Sequence, residues 1–359
     1  MKRKLSYKLF LVSIILFFGC RISERNDQRW TEEKAIEWSA TNGWLRGCNF
    51  IPSTAVNQLE MWQEETFDTV TIKRELGFGE AIGFNVMRVF LHHKAWIQDP
   101  AGFKNRMDQY LTISSRHNIK TMFVFFDDCW NGTSTPGRQP APKPGIHNSG
   151  WLQDPGQTES ADTSLFPVLE KYVKDIMNHF ASDNRIVLWD LYNEPGNSNK
   201  SDTSLNLLKK VFSWARSTKT TQPLTSGIWN HTLINLTEFQ IANSDIITFH
   251  NYEPDSLMKV AIDSLRKYNR TLLCSEYMAR TLGSKFGNIL PLLKKENIGA
   301  INWGLVSGKT NTIYPWSDKS HTDGSEPELW FTDIFRPDGT PYLKEETDLI
   351  RNECLGQSR

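Results

Sequence analysis

Ile186-Val187-Leu188-Trp189-Asp190-Leu191-Tyr192-Asn193-Glu194-Pro195 is the stretch whose reading decides the fold. Its apolar and aromatic run has the length and composition of a strand buried on both faces. It stops at two polar side chains and a proline, which has no N–H to give to a ladder. Before it, residues 165–181 repeat apolar side chains at helical spacing through Leu169, Tyr172, Val173, Ile176 and Phe180. After it, residues 203–218 do the same through Leu205, Leu208, Val211, Phe212 and Ala215. A strand flanked in sequence by two helices is the unit of a parallel sheet with right-handed crossovers.

The pattern recurs along the chain. Eight short apolar, β-branched or aromatic runs occur at 44–51, 85–92, 120–127, 186–193, 224–229, 246–252, 271–277 and 299–306. Residues 102–117 place Met107, Tyr110, Leu111 and Ser114 on one helical face, and 342–353 read as the last helix. Eight strand–helix repeats in one chain predict an α/β protein of a single domain, a (β/α)8 TIM barrel. An open doubly wound sheet would carry a glycine-rich turn after its first strand, and Gly47-Cys48-Asn49-Phe50-Ile51-Pro52 has none. Residues 30–43 read as a short helix with Thr31 as N-cap and Glu32 and Glu33 in its first turn, placed to plug the barrel floor.

The chain has 359 residues, with 41 Lys+Arg balancing 41 Asp+Glu. That balance, without a basic stripe, argues against a nucleic-acid partner. Lys2, Arg3, Lys4 and Lys8 precede the apolar run 9–18, which is too short to span a bilayer and reads as a signal-peptide core. Gly19-Cys20 resembles a bacterial lipoprotein cleavage site. The expected organisation is a lipoprotein-like signal peptide at 1–20, a tether at 21–29 and the barrel at 30–359. Export would then leave the protein at a bacterial membrane, periplasmic or at the cell surface, held only by a lipid on Cys20. Cys48, Cys129, Cys274 and Cys354 have no metal-ligand spacing and read as packing residues.

The candidate site lies at the strand ends. Strand two offers Arg88, His92 and His93, strand three Asp127-Asp128-Cys129-Trp130, and strand four Asn193 and Glu194. Strand five ends at Trp229, strand six gives His250 and Tyr252, strand seven Glu276, and strand eight Trp303. Two carboxylates at one barrel mouth suit cleavage of a glycosidic bond, in which one gives a proton to the leaving oxygen and the other attacks the sugar. No cofactor and no metal is needed. Two other classes fit parts of the pattern. A catalytically inactive carbohydrate-binding barrel would keep the cleft with one glutamate replaced. A metal-dependent barrel hydrolase would use His92-His93 with Asp127-Asp128, although strand one carries no HxH.

Asn193-Glu194-Pro195 after its apolar run, with Glu276 ending Thr271–Glu276, resembles the clan A retaining glycoside hydrolases, and within them the cellulase- and mannanase-like family five. The resemblance spans roughly 44–350. It implies Glu194 as acid/base and Glu276 as nucleophile in a double displacement on a β-linked poly- or oligosaccharide. It further implies Arg88 keeping the nucleophile ionised, Asn193 on the sugar 2-hydroxyl, Tyr252 donating to the nucleophile with His250 beside it, and Trp303 as floor under the sugar. Family-five members commonly carry a His near the end of strand three. Here His92 or His93, or Asp127, would have to serve. Candidate sugar platforms are Trp62, Trp96, Trp130, Trp151, Trp229 and Trp316. Whether the long loop 129–164 closes one end would decide between endo and exo action.

Strand geometry adds two expectations. Neighbouring side chains on a strand face opposite ways, so Asn193 and Glu194 can share the cleft only if the backbone is irregular there. Regular alternation would suffice on strands six and seven, and would turn Cys274 into the barrel interior beneath Glu276.

Overall fold

A computed structural model describes residues 29–356. The expected signal peptide at 1–20, the lipid site at Cys20 and nearly all of the tether lie outside the described residues.

Eight parallel strands form one sheet: β1 (Arg46–Asn49), β2 (Val86–Phe90), β3 (Lys120–Asp127), β4 (Ile186–Asn193), β5 (Leu224–Thr225), β6 (Ile247–His250), β7 (Leu272–Glu276) and β8 (Gly299–Trp303). Their order is β5-β4-β3-β2-β1-β8-β7-β6, and a parallel bridge between Ile228 and Phe249 joins the two edges, so the sheet closes on itself. The helices α1 (Glu32–Asn42), α2 (Gln58–Trp62), α3 (Thr69–Ala81), α4 (His93–Gln98), α5 (Pro100–Arg116), α6 (Phe166–His179), α7 (Leu205–Arg216), α8 (Ile234–Asn243), α9 (Asp255–Arg266), α10 (Phe286–Lys295) and α11 (Lys344–Leu355) fill the connections. This is the single-domain (β/α)8 barrel. Among these residues no helix is long and apolar enough to cross a bilayer.

The barrel has an apolar floor and a polar mouth. Leu45, Val86, Met122, Leu188, Ile246, Leu273 and Ile301 pack inside it, closed from below by Ala35 and Trp38 of α1. Thr31 caps α1, its hydroxyl accepting from Lys34 N, and the Trp38 indole donates to Val187 O at 3.2 Å. Full burial of each aliphatic side chain contributes about 1.5–3 kcal/mol, so the floor is the rigid base on which the mouth is built. The larger apolar layer lies between strands and helices.

Strands four, six and seven are irregular near the mouth, and the β3–β4 register also shifts at the floor end, between Thr121 and Met122. Glu194, just past the end of β4, has φ 46°, a left-handed conformation uncommon outside glycine. Asp190 and Asn193, three residues apart, both bond the same Arg88 side chain. The expected irregularity at the end of strand four is therefore present. Strands six and seven are not regular, contrary to expectation. Their register shifts between Phe249 and His250, so that Phe249 faces Cys274 and His250 faces Glu276. The extra residue, Ser275, throws Cys274 outward into the layer against the helices, where it packs without entering the barrel interior. Strand five ends early, at Thr225 rather than Trp229. Gly227 follows where a Cβ would lie 2.7 Å from His250 Nε2, so this glycine marks the close approach of a site residue.

Candidate active site

Arg88 is the hub of the mouth. It is fully buried on β2 and reaches four groups. Nη1 bonds Glu276 Oε1 at 2.8 Å and Asn49 Oδ1 at 2.7 Å, while Nη2 bonds Asp190 Oδ2 at 2.7 Å and Asn193 Oδ1 at 2.6 Å. A buried guanidinium needs such a set, since an unpaired one would cost several kcal/mol. The other oxygen of Glu276 accepts the Tyr252 hydroxyl at 2.7 Å.

Glu194 has only neutral partners. His250 Nδ1 lies 2.7 Å from its Oε1, and its Oε2 accepts from the Asn197 amide and from the Cys129 thiol at 3.2 Å. Asp128, fully buried, accepts from Tyr192, Lys200, Ser204 and Gly196 N, and thereby fixes the turn that presents Asn197. An oxygen of Glu194, an oxygen of Glu276 and a nitrogen of His250 lie within 4.8 Å of one another. Burial raises the carboxyl of each glutamate above the ordinary range. It also lowers His250 to about 4, which leaves the imidazole neutral near pH 7.

Asp127 stands at the end of strand three. It accepts the Asn193 amide at 2.8 Å, the Trp151 indole at 2.7 Å and Cys129 N at 2.9 Å, and burial pushes it up to about 7. Asp127 thus orients Asn193 from below without lining the cleft. His92 was expected at the substrate and is not there. It is fully buried, accepts from Lys94 N at the start of α4, and stacks on His93 at 5.4 Å. The turn after β2 explains this: His92 is the N-cap of α4, and its side chain is spent on that helix start and buried beside His93 and Asp154. Nor do they form a cluster with Asp127 and Asp128. Their partner is Asp154, which bonds His93 through ring and backbone.

A cavity of about 870 Å³ opens over these groups, lined by Asn193, Glu194, His250, Tyr252, Glu276 and Trp303 together with Cys129, Trp130, Trp229 and Trp316. Trp303 is held edge-on by Phe90 and Trp151, at 5.8 and 5.5 Å. Of the candidate platforms, Trp130, Trp229 and Trp316 reach the cavity. Trp62, Trp96 and Trp151 are buried behind it. Sequence reasoning missed the parts played by Asn49, Cys129, Asp190 and Asn197. For Asp190 a signal existed: a lone carboxylate inside an apolar strand needs a buried cation.

Residues 49–305 match the family model for cellulase, glycosyl hydrolase family 5. The chain belongs to glycoside hydrolase family 5. No curated protein matches the sequence. Among solved structures, this family 5 enzyme is similar to the exo-β-1,4-mannosidase of Opitutaceae bacterium strain TAV5, at 16% identity and TM-score 0.63, covering 88% of this chain and 60% of that one. It is similar to the hyperthermostable endo-1,4-β-D-mannanase of Thermotoga petrophila RKU-1, at 14% identity and TM-score 0.57, covering 87% and 99%. It is also similar to a GH5_18 variant from Streptomyces cattleya in complex with Manβ1-4GlcNAc, at 10% identity and TM-score 0.61, covering 87% and 80%. These likenesses extend the barrel fold, and the family assignment makes the protein a glycoside hydrolase acting on carbohydrate.

Proposed function

We propose that this enzyme hydrolyses β-glycosidic bonds with retention of configuration, using Glu276 as nucleophile and Glu194 as acid/base. The carrying observation is the unequal company of the two carboxyls. Glu276 touches a guanidinium and a phenol, both of which favour its ionised form, whereas Glu194 touches a thiol and an amide, and the neutral His250 imidazole lies between them, 2.7 Å from Glu194 and 3.4 Å from Glu276. Burial raises both, and a single shared proton rests on Glu194 because ionisation is better supported at Glu276. Glu194 then protonates the leaving oxygen as Glu276 forms a bond to the anomeric carbon. Water, deprotonated by Glu194, later displaces Glu276. One oxygen of each carboxyl lies within 4.8 Å of the other's, close enough for a retaining pair, whose carboxyls lie roughly 5–5.5 Å apart. His250 Nδ1, in the tautomer with its proton on Nε2, can accept from Glu194 when that carboxyl is protonated. Asn193, held by Arg88 and Asp127, presents its amide to the sugar 2-hydroxyl, and Trp303 supports the ring.

Proton NMR of the first product tests this reading. Initial release of the β-anomer supports it, and initial release of the α-anomer overturns it. β-Mannosides head the substrate panel because two similar folds are named for them, followed by β-glucosides and β-xylosides. We further propose that residues 1–20 export the enzyme and that Cys20 carries a lipid. Replacement of Cys20 by Ser should then move the enzyme from the membrane fraction to the soluble fraction.

A further inference from the structure

The direction of the substrate follows from the proposed chemistry. Attack by Glu276 is in line, so the leaving oxygen departs on the far side of the anomeric carbon, toward Glu194. The leaving portion therefore runs out past the turn after β4 and the end of β5, where Asn199 and His231 are exposed. The attacked sugar lies over Trp303. Further sugars on its non-reducing side would have to continue across the ends of β8, β1, β2 and β3.

That half of the rim is bridged. The loop after β3 and the loop after β8 meet there: Asn148 N donates to Thr310 O at 2.8 Å, His147 Nδ1 lies 2.7 Å from Tyr314 O, and Asn311 Nδ2 donates to Lys143 O at 2.8 Å. Gly145, at φ 69°, packs so closely on the His321 carbonyl that a Cβ would collide with it. Buried His147 sits 5.4 Å from the Trp130 ring and 5.7 Å from Phe331. The loop after β1 ties into both partners. Asn57 Nδ2 donates to Gly150 O at 3.0 Å, and Lys309 N donates to Ser53 O at 3.0 Å. Among the described residues the cavity lining comes from the ends of β4, β6, β7 and β8 and from the loops after β3, β4, β5, β6 and β8, with none from the loops after β1 and β2, and its volume of about 870 Å³ falls within the roughly 300–1,000 Å³ of sites that engulf a small ligand.

We infer that the joined loops make a blind chamber on the non-reducing side, so that the enzyme takes chain termini and releases short units without cutting inside a polymer. This rests on the proposed retaining glycosidase reading. The test uses the whole enzyme with β-1,4-manno-, gluco- and xylohexaose labelled at the reducing end, and with the matching polysaccharides. The expected early product is a labelled oligosaccharide shortened by one fixed unit, with viscosity unchanged while reducing ends rise. An early ladder of all labelled lengths, with falling viscosity, overturns the chamber and leaves the glycosidase standing. Failure to hydrolyse any oligosaccharide or aryl β-glycoside removes the glycosidase reading, and the chamber with it.

Discussion

Glu276 and Glu194 face one another across the same cavity, both buried and both at strand ends, yet the sequence surrounds them differently. Glu276 ends β7 and is met by Arg88 from β2 and Tyr252 from beyond β6. Glu194 lies just past β4, in a left-handed conformation, and is met by Cys129, Asn197 and His250. In one place cationic and phenolic donors stabilise a charge. In the other, uncharged groups leave protonation cheap. Burial alone would make the two carboxyls alike. In the proposed mechanism their neighbours divide the roles.

The most severe way to break the contrast is Glu276→Ala. Loss of the attacking group should exceed the roughly 10²–10⁴-fold of a lost general acid or base, for every leaving group, as read by kcat/KM. Azide should yield only product of the opposite anomeric configuration. Glu194→Ala should cost about 10²–10⁴-fold on oligosaccharides and far less for bond cleavage in aryl glycosides whose leaving groups need no proton. Equal losses on both substrate types would reverse or cancel the assigned roles.

Arg88→Lys attacks the charged side of the comparison. One ammonium cannot serve Glu276, Asp190, Asn193 and Asn49 together, and leaving buried carboxylates short of a partner costs about 3–5 kcal/mol in comparable cases. The sign for activity is fixed. Arg88 favours ionised Glu276, so its loss raises that carboxyl further. The acidic limb of kcat/KM, where the nucleophile must be deprotonated, should move to higher pH, with about a tenfold loss per pH unit below it. An acidic limb that stays in place would show that Arg88 acts on folding alone. Thermal melting of the variant separates the two effects.

Much of this was legible in sequence because it follows from periodicity. β3 and β4 run 120–127 and 186–193 in both readings, since long apolar strands leave little freedom at their ends. The plug helix was legible from its cap. The irregularity at Asn193–Glu194 followed from requiring two neighbouring residues to face one cleft. What alternation could not reveal was a bulge on a strand that seemed to need none, and Ser275 therefore reversed the direction of Cys274. His92 was misplaced for a similar reason: spacing locates a residue along a strand but not the turn that follows. Cys129 was hidden by sequence distance. Its contact with Glu194 spans 65 residues and depends on how the β3 and β4 ends lie in register.

Cys129 also supplies the mildest change to the uncharged side. Its thiol is half-buried, lines the cavity and donates to Glu194 Oε2, with burial raising its own pKa so that it remains protonated. A donor to a carboxylate oxygen favours the ionised form, so Cys129→Ala should raise the carboxyl of Glu194. Because the proposed acid, Glu194, must be protonated to act, the alkaline limb of kcat/KM should move to higher pH, the limb opposite to the one displaced by Arg88→Lys. At the optimum the loss should be about fivefold or less, the rate equivalent of the ~1 kcal/mol of a neutral hydrogen bond. Cys129→Ser, which keeps a donor, should leave the limb where it is. A packing role alone would lower activity in Cys129→Ala at every pH and move neither limb, and a shift of the alkaline limb to lower pH would mean that the thiol supports the protonated acid instead.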